Sequence, residues 1–173
     1  MSTKRICINA MGIALFVVLT LCLQVPVFEN YYLCLGYVAM AVYTYYVGTA
    51  GGTLVGTMGV LIYCVLTSGL RGMPGWMLGN VVIGLLCGVA AGVAKRQNAA
   101  WKKYVIMAAA VVLSTAIGIL GVKSMTEAVL YALPFMVRVA TNSYAFVADV
   151  VVLMLGFGLC VSSERVLSKV TNI

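Results

Sequence analysis

At 173 residues, 64% hydrophobic and only 9% charged, the chain excludes the soluble class, in which about half the residues are apolar and a quarter charged. Its mean hydropathy of +1.11 points to a membrane. Each crossing takes roughly 20 apolar residues, so the length holds about six spans and no soluble catalytic domain. The net charge of +7 suggests nucleic acid only until its distribution is followed.

The expected fold is an all-α membrane protein, a single integral membrane domain over 1–173 with six transmembrane helices. Span 1, residues 8–25, follows Lys4 and Arg5 as in a signal peptide. No cleavage site precedes Phe28 and five more apolar runs follow, so it is read as a span, ended by Pro26. A polar step, Phe28-Glu29-Asn30-Tyr31, leads to span 2 at 32–47. Gly48, Gly51 and Gly52 turn the chain into span 3, 53–66. The loop 67–75 precedes span 4, 76–94, and the hydrophilic loop KRQNAAWKK leads to span 5, 104–122. A mixed segment, 123–143, reads as an amphipathic helix broken at Pro134, and span 6 covers 144–161.

Orientation follows from the basic residues. With six spans, both termini share a side with the 48–52 and 95–103 loops. Lys4, Arg5, Lys95, Arg96, Lys102, Lys103, Arg165 and Lys169 lie on that side, and Arg71, Lys123 and Arg138 on the other. This bias places both termini in the cytoplasm and explains the positive balance as topology, with contact to anionic lipid rather than nucleic acid.

The outer side carries the functional signal. Arg71, Lys123 and Arg138 face Glu29 and Glu127, with Asp149 just inside span 6. Charge within a membrane is costly and marks a cavity or a specific partner. Tyr63, Asn80 and Asp149 each fall four or five residues below the outer end of their span, which is about 6–8 Å at 1.5 Å per residue. Polar groups at one depth on three spans suggest a pocket open outward; interhelical hydrogen bonds holding the bundle together are the plainer reading. Tyr31, Tyr32, Trp76, Tyr131 and Tyr144 lie near the same interface, where a ring-bearing ligand and an aromatic belt both account for them. Trp76 shares a helix face with Asn80. Tyr43, Tyr45 and Tyr46 read as belt alone.

Gly48, Gly52 and Gly56, and again Gly84, Gly88 and Gly92, recur at intervals of four. Such ridges serve close packing or homodimerisation. Ala10 and Ala14 form a small flat patch on span 1. The six cysteines lie in or beside apolar runs without CxxC spacing and read as packing residues. No histidine is present, the serines lack an activating base, and no Walker-type loop occurs. An enzyme is therefore not expected, nor a cofactor or metal, and energy for uphill transport must come from a partner or an ion gradient.

These residues together resemble the substrate-binding S component of an energy-coupling factor (ECF) vitamin transporter, nearest in pattern to the riboflavin-type branch. The likeness rests on six spans, Ala10-x-x-x-Ala14, the loop around Asn30-Tyr31-Tyr32, Leu35-Gly36 through Gly48, Gly52, Gly56 and Gly59, Trp76 to Gly92, and Pro134 to Asn142. In that branch an acidic residue usually follows the Leu-Gly of span 2, where this chain has Tyr37. The resemblance implies a multi-pass protein of a bacterial cell membrane that captures a vitamin or precursor from outside. It implies docking through Ala10 and Ala14 on a transmembrane coupling protein driven by two cytoplasmic ATPases, and toppling to release the ligand. Asn30, Tyr32, Arg71, Trp76, Asn80, Arg138 and Asn142 would line the pocket, joined by Tyr63, Glu127 and Asp149 from the outer polar set.

A heterocycle such as a flavin or pyridoxine suits the aromatics, whereas Arg71 or Arg138 would suit the carboxylate of pantothenate or a folate. Two other classes fit the composition: a self-sufficient oligomeric carrier or channel, and a structural membrane protein with no ligand.

Overall fold

The computed structural model describes residues 3–22, 24–28, 31–67, 70 and 73–171, with the side chains of 24–28, 31–32 and 165–171 left out. It is almost wholly helical. Helix α1 spans Thr3–Cys22, and a two-stranded antiparallel hairpin follows, β1 (Gln24–Phe28) on β2 (Tyr31–Cys34). Next come α2 (Gly36–Tyr46), α3 (Thr49–Leu66) and α4 (Met73–Lys95). Helix α5 (Ala100–Thr115) runs through a π-helical segment (Ala116–Lys123) into α6 (Ser124–Tyr131), and α7 (Phe135–Thr171) closes the order.

Five of these stretches are long and apolar enough to cross a membrane: Thr3–Cys22, Thr49–Leu66, Met73–Lys95, Ala100–Tyr131 and Phe135–Glu164. The expected second span departs from this pattern. Its helix has 11 residues, about 16 Å of axis, which is roughly half a bilayer core. The residues before it pair as strands instead. Pro26 has no N–H and so cannot extend a helix, and Val25 and Tyr32 favour extended backbone; the register shifts between Pro26 and Phe28. The all-α expectation is corrected to this extent.

The last span is also longer than the hydropathy suggests. Ala132 adopts a left-handed conformation, φ 52°, which ends α6, and Pro134 then leads directly into α7. Helix α7 therefore begins at Phe135 rather than near 144, and its 37 residues measure about 55 Å.

The interior is packed through small residues. An ideal Cβ on Gly84 would lie 2.7 Å from the Thr53 Cα, and one on Gly88 2.7 Å from the Thr49 Cα, so α3 and α4 touch backbone to backbone. Gly79 and Gly118 bring α4 against the π segment in the same way. The glycine ridge of α4 is thus spent within the chain, and Gly92 alone of its three members faces open space. Phe16, Tyr37, Met40, Val55, Val60 and Ile83 fill the core. Large apolar side chains such as Leu15, Leu85, Val89, Leu113, Leu155 and Leu159 point outward. Outward leucine and valine along several long helices are what a hydrocarbon solvent permits and water penalises.

Candidate functional site

Four helices meet at the hydroxyl of Tyr37. Gly36 opens α2 within van der Waals reach of α1; a Cβ there would lie 2.8 Å from the Phe16 carbonyl oxygen and would strike the Thr20 hydroxyl. This approach sets Tyr37, fully buried, edge-on to Phe16 with ring centroids 6.0 Å apart. The Tyr37 hydroxyl donates to Asn80 Oδ1 at 2.7 Å and accepts from Trp76 Nε1 at 2.8 Å. Asn80 Nδ2 donates to the Gly56 carbonyl of α3 at 2.9 Å. From α7 the Asp149 carboxyl lies within electrostatic reach of the Tyr37 hydroxyl. Tyr63 meets the Trp76 indole edge-on, 5.7 Å between centroids. Asn80 is 0% and Asp149 5% exposed. Such desolvated polar groups cost stability unless their hydrogen bonds are made, so the cluster is held together by mutual need.

A second polar group joins α6 to α7. Arg138 donates to Glu127 Oε2 through Nε at 2.8 Å and also through Nη2. Asn142 Nδ2 donates to the same carboxylate oxygen and to Ser124 Oγ, each at 3.0 Å. Asn142 Oδ1 is buried with no hydrogen-bond partner among the described residues. Lys123 lies within electrostatic range of both Glu127 and Asp149 and so links the two groups. Gly75 makes this adjacency possible: a Cβ on it would stand 3.1 Å from the Lys123 carbonyl oxygen and 3.4 Å from Glu127 Cγ. The next residue is Trp76.

Of the sequence-derived candidates, Trp76, Asn80 and Asp149 gather around Tyr37, with Tyr63 against the indole. Glu127, Arg138 and Asn142 form the neighbouring group. Asn30, Arg71 and the side chain of Tyr32 lie outside the described residues. Asp149 sits 14 positions into α7, deeper along its helix than a start near 144 implied.

Sequence reasoning missed Tyr37 as a member, and also Lys123 and Ser124. The available signal for Tyr37 was its place directly after Leu35-Gly36, where the riboflavin-type branch usually has an acidic residue.

The reading of Tyr45 as a belt residue is corrected. Tyr45 is 1% exposed, and its hydroxyl donates to Glu164 Oε2 at 2.7 Å, which also accepts from Lys103 Nζ at 3.0 Å. Tyr46 pairs with Ser163 at 2.8 Å, Tyr104 with Ser162 at 2.9 Å, and Lys95 donates to the Tyr45 carbonyl oxygen. The buried Tyr45 hydroxyl is a structural fastener between helix ends, whereas the Tyr46 ring stays 47% exposed.

The protein-family model described as "ECF-type riboflavin transporter, S component" matches residues 1–162. The chain belongs to this family. It is therefore a substrate-binding component of an ECF transporter, a multi-pass membrane protein and not an enzyme. No curated protein matches the chain. On this S component Ala10 and Ala14 are both exposed, on the face of α1 turned away from the buried Asn9, Gly12 and Phe16. Among the described residues, the Tyr37 cluster and the Glu127–Arg138 pair are concentrations of buried polar chemistry in the S component's bundle.

Proposed function

We propose that this S component captures a riboflavin-like aromatic vitamin from outside the cell and hands it inward through an ATP-driven coupling module. The observation that carries the reading is the Tyr37–Trp76–Asn80–Asp149 cluster, a desolvated set of donors and acceptors beside an indole face. Flat heterocycles are bound by that pairing of π surface and directed polar edges. The family match favours a flavin within that class.

The basic residues favour six crossings with both termini in the cytoplasm of a bacterial cell, α2 and the hairpin together making the second. Ala10 and Ala14, both exposed on α1, are the docking patch for a transmembrane coupling protein, which two cytoplasmic ATPases drive. A self-assembling carrier is less well supported, because Gly84 and Gly88 already face Thr53 and Thr49 of the same chain.

The test is thermal unfolding of the detergent-purified chain with riboflavin, pyridoxine or pantothenate, beside mass spectrometry of any copurified compound. A ligand at 100 times its Kd adds about 2.7 kcal/mol. Stabilisation by riboflavin alone is expected. No shift with any of the three, and no copurified small molecule, overturns the reading.

A further inference from the structure

The start of α5 and the far end of α7 enclose a cavity of about 130 Å³, lined by Met107, Ala108, Met154 and Phe157. Gly158 leaves it open, since a Cβ there would have nothing within 4 Å. The cavity lies between two stretches able to cross a membrane, Ala100–Tyr131 and Phe135–Glu164, near one end of each. Tyr104 at its rim is about 6 Å along the axis from Ala100, the depth at which headgroups meet hydrocarbon. There the Tyr104 and Ser162 hydroxyls hydrogen-bond at 2.9 Å, and Lys103 Nζ meets Glu164 Oε2 at 3.0 Å. Trp101 stands one turn beyond Tyr104 on the same face of α5, its ring 66% exposed. Lys102 Nζ lies over that ring, 5.8 Å from the centroid. Glu164 balances Lys103, but among the described residues no carboxylate bridges Lys102. The mouth of the cavity therefore keeps a positive charge.

We propose that this slot binds an anionic phospholipid, with its phosphate at Lys102 and part of one acyl chain between α5 and α7. Along α5 the order is cation, indole, hydroxyls and then hydrocarbon, which is the order of groups in such a lipid from head to tail. An apolar cavity of this size takes a group about as large as benzene, so it holds a few methylenes. The rest of the chain lies on the outward apolar face beside it, where Leu155 and Leu159 are exposed. A zwitterionic headgroup carries its own cation and gains little from Lys102, so the charge at the mouth selects for a net negative lipid. The proposal needs the membrane location of the family and is independent of which vitamin the Tyr37 cluster takes.

The experiment titrates the detergent-purified chain with dioleoyl phosphatidylglycerol and with dioleoyl phosphatidylcholine, following the thermal midpoint. Phosphatidylglycerol is expected to raise the midpoint at lower mole fraction than phosphatidylcholine does. In Lys102→Gln its half-saturating fraction should rise roughly fivefold, the share of one basic residue, with the response to phosphatidylcholine unchanged. Gly158→Leu fills the cavity and keeps the charge, and should lose most of the response to phosphatidylglycerol. Equal responses of the parent to both lipids overturn the proposal, as does a Gly158→Leu chain that responds like the parent. A lipid-free dimer that Gly158→Leu disperses would put a second copy in the slot and also overturn it. If Gly158→Leu does not fold, the two lipids compared on the parent and on Lys102→Gln decide. None of these results bears on vitamin binding, so failure here leaves the substrate reading standing.

Discussion

The Trp76 indole gives its single N–H to the hydroxyl of Tyr37 at 2.8 Å, and so ties the first turn of α4 to the first turn of α2 across 39 residues of sequence. The Tyr37 hydroxyl, fully buried, has no water to fall back on. The consequence is that the indole, the most extended π surface of the site, has its plane set by a tyrosine that sequence reasoning passed over.

Tyr37→Phe removes that acceptor and strips Asn80 Oδ1 of its donor while keeping the ring. The expected cost is about 1–3 kcal/mol of stability for the unsatisfied groups, with weaker ligand binding because the indole is no longer held. Thermal unfolding and ligand titration of the same preparation measure both. A variant as stable and as tight-binding as the parent would show that the hydroxyl holds nothing in place.

Removing one partner of Arg138–Glu127 should hurt more than removing both. Arg138→Met leaves Glu127, 3% exposed, as a carboxylate without its cation, for which about 3 kcal/mol is the usual order for a buried pair. Arg138→Met combined with Glu127→Leu leaves no orphaned charge. The double variant should melt closer to the parent than the single one does; the reverse order would mean the pair contributes net stability.

Gly84→Val tests backbone contact between α3 and α4. Its side chain would enter space held by the Thr53 Cα, 2.7 Å from an ideal Cβ, where no rotamer change relieves the overlap. Overpacking of this kind costs about 1–3 kcal/mol or more. Gly92→Val, with open space around it, should melt with the parent. Similar melting of the two variants would refute the contact.

Ala14→Trp should spare ligand binding and abolish ATP-driven uptake, because Ala14 is exposed on α1 and a bulky ring there meets only a docking partner. Equilibrium binding and vesicle uptake with the reconstituted coupling module separate the two effects. Normal uptake would move the docking surface off this face.

Hydropathy made the long helices legible, since each shows a sustained apolar run, and the rarity of polar residues within those runs singled out Asn80 and Asp149. Three things were hidden for physical reasons. Tyr37 and Tyr45 sit in apolar runs where a ring reads as core or belt, and only the partner across the bundle shows what the hydroxyl does. The strands at 24–28 and 31–34 are too short for a period-two pattern to stand out against apolar neighbours. The start of α7 was masked because Arg138, Thr141 and Asn142 lower the hydropathy of a segment whose polar side chains are satisfied by α6 and by the helix itself.

The π-helical segment carries one further consequence. In an α-helix each residue advances the rotation by about 100°, and a π turn accommodates an additional residue in its loop of hydrogen bonds. Everything after Ala116–Lys123 is therefore phased by how many residues that segment contains. Exchanging one apolar residue there for another leaves Ser124 and Glu127 pointing at Asn142. Deleting one would swing both by about 100° and turn them away from α7. Insertions and deletions, far more than substitutions, are what this stretch of the gene cannot absorb.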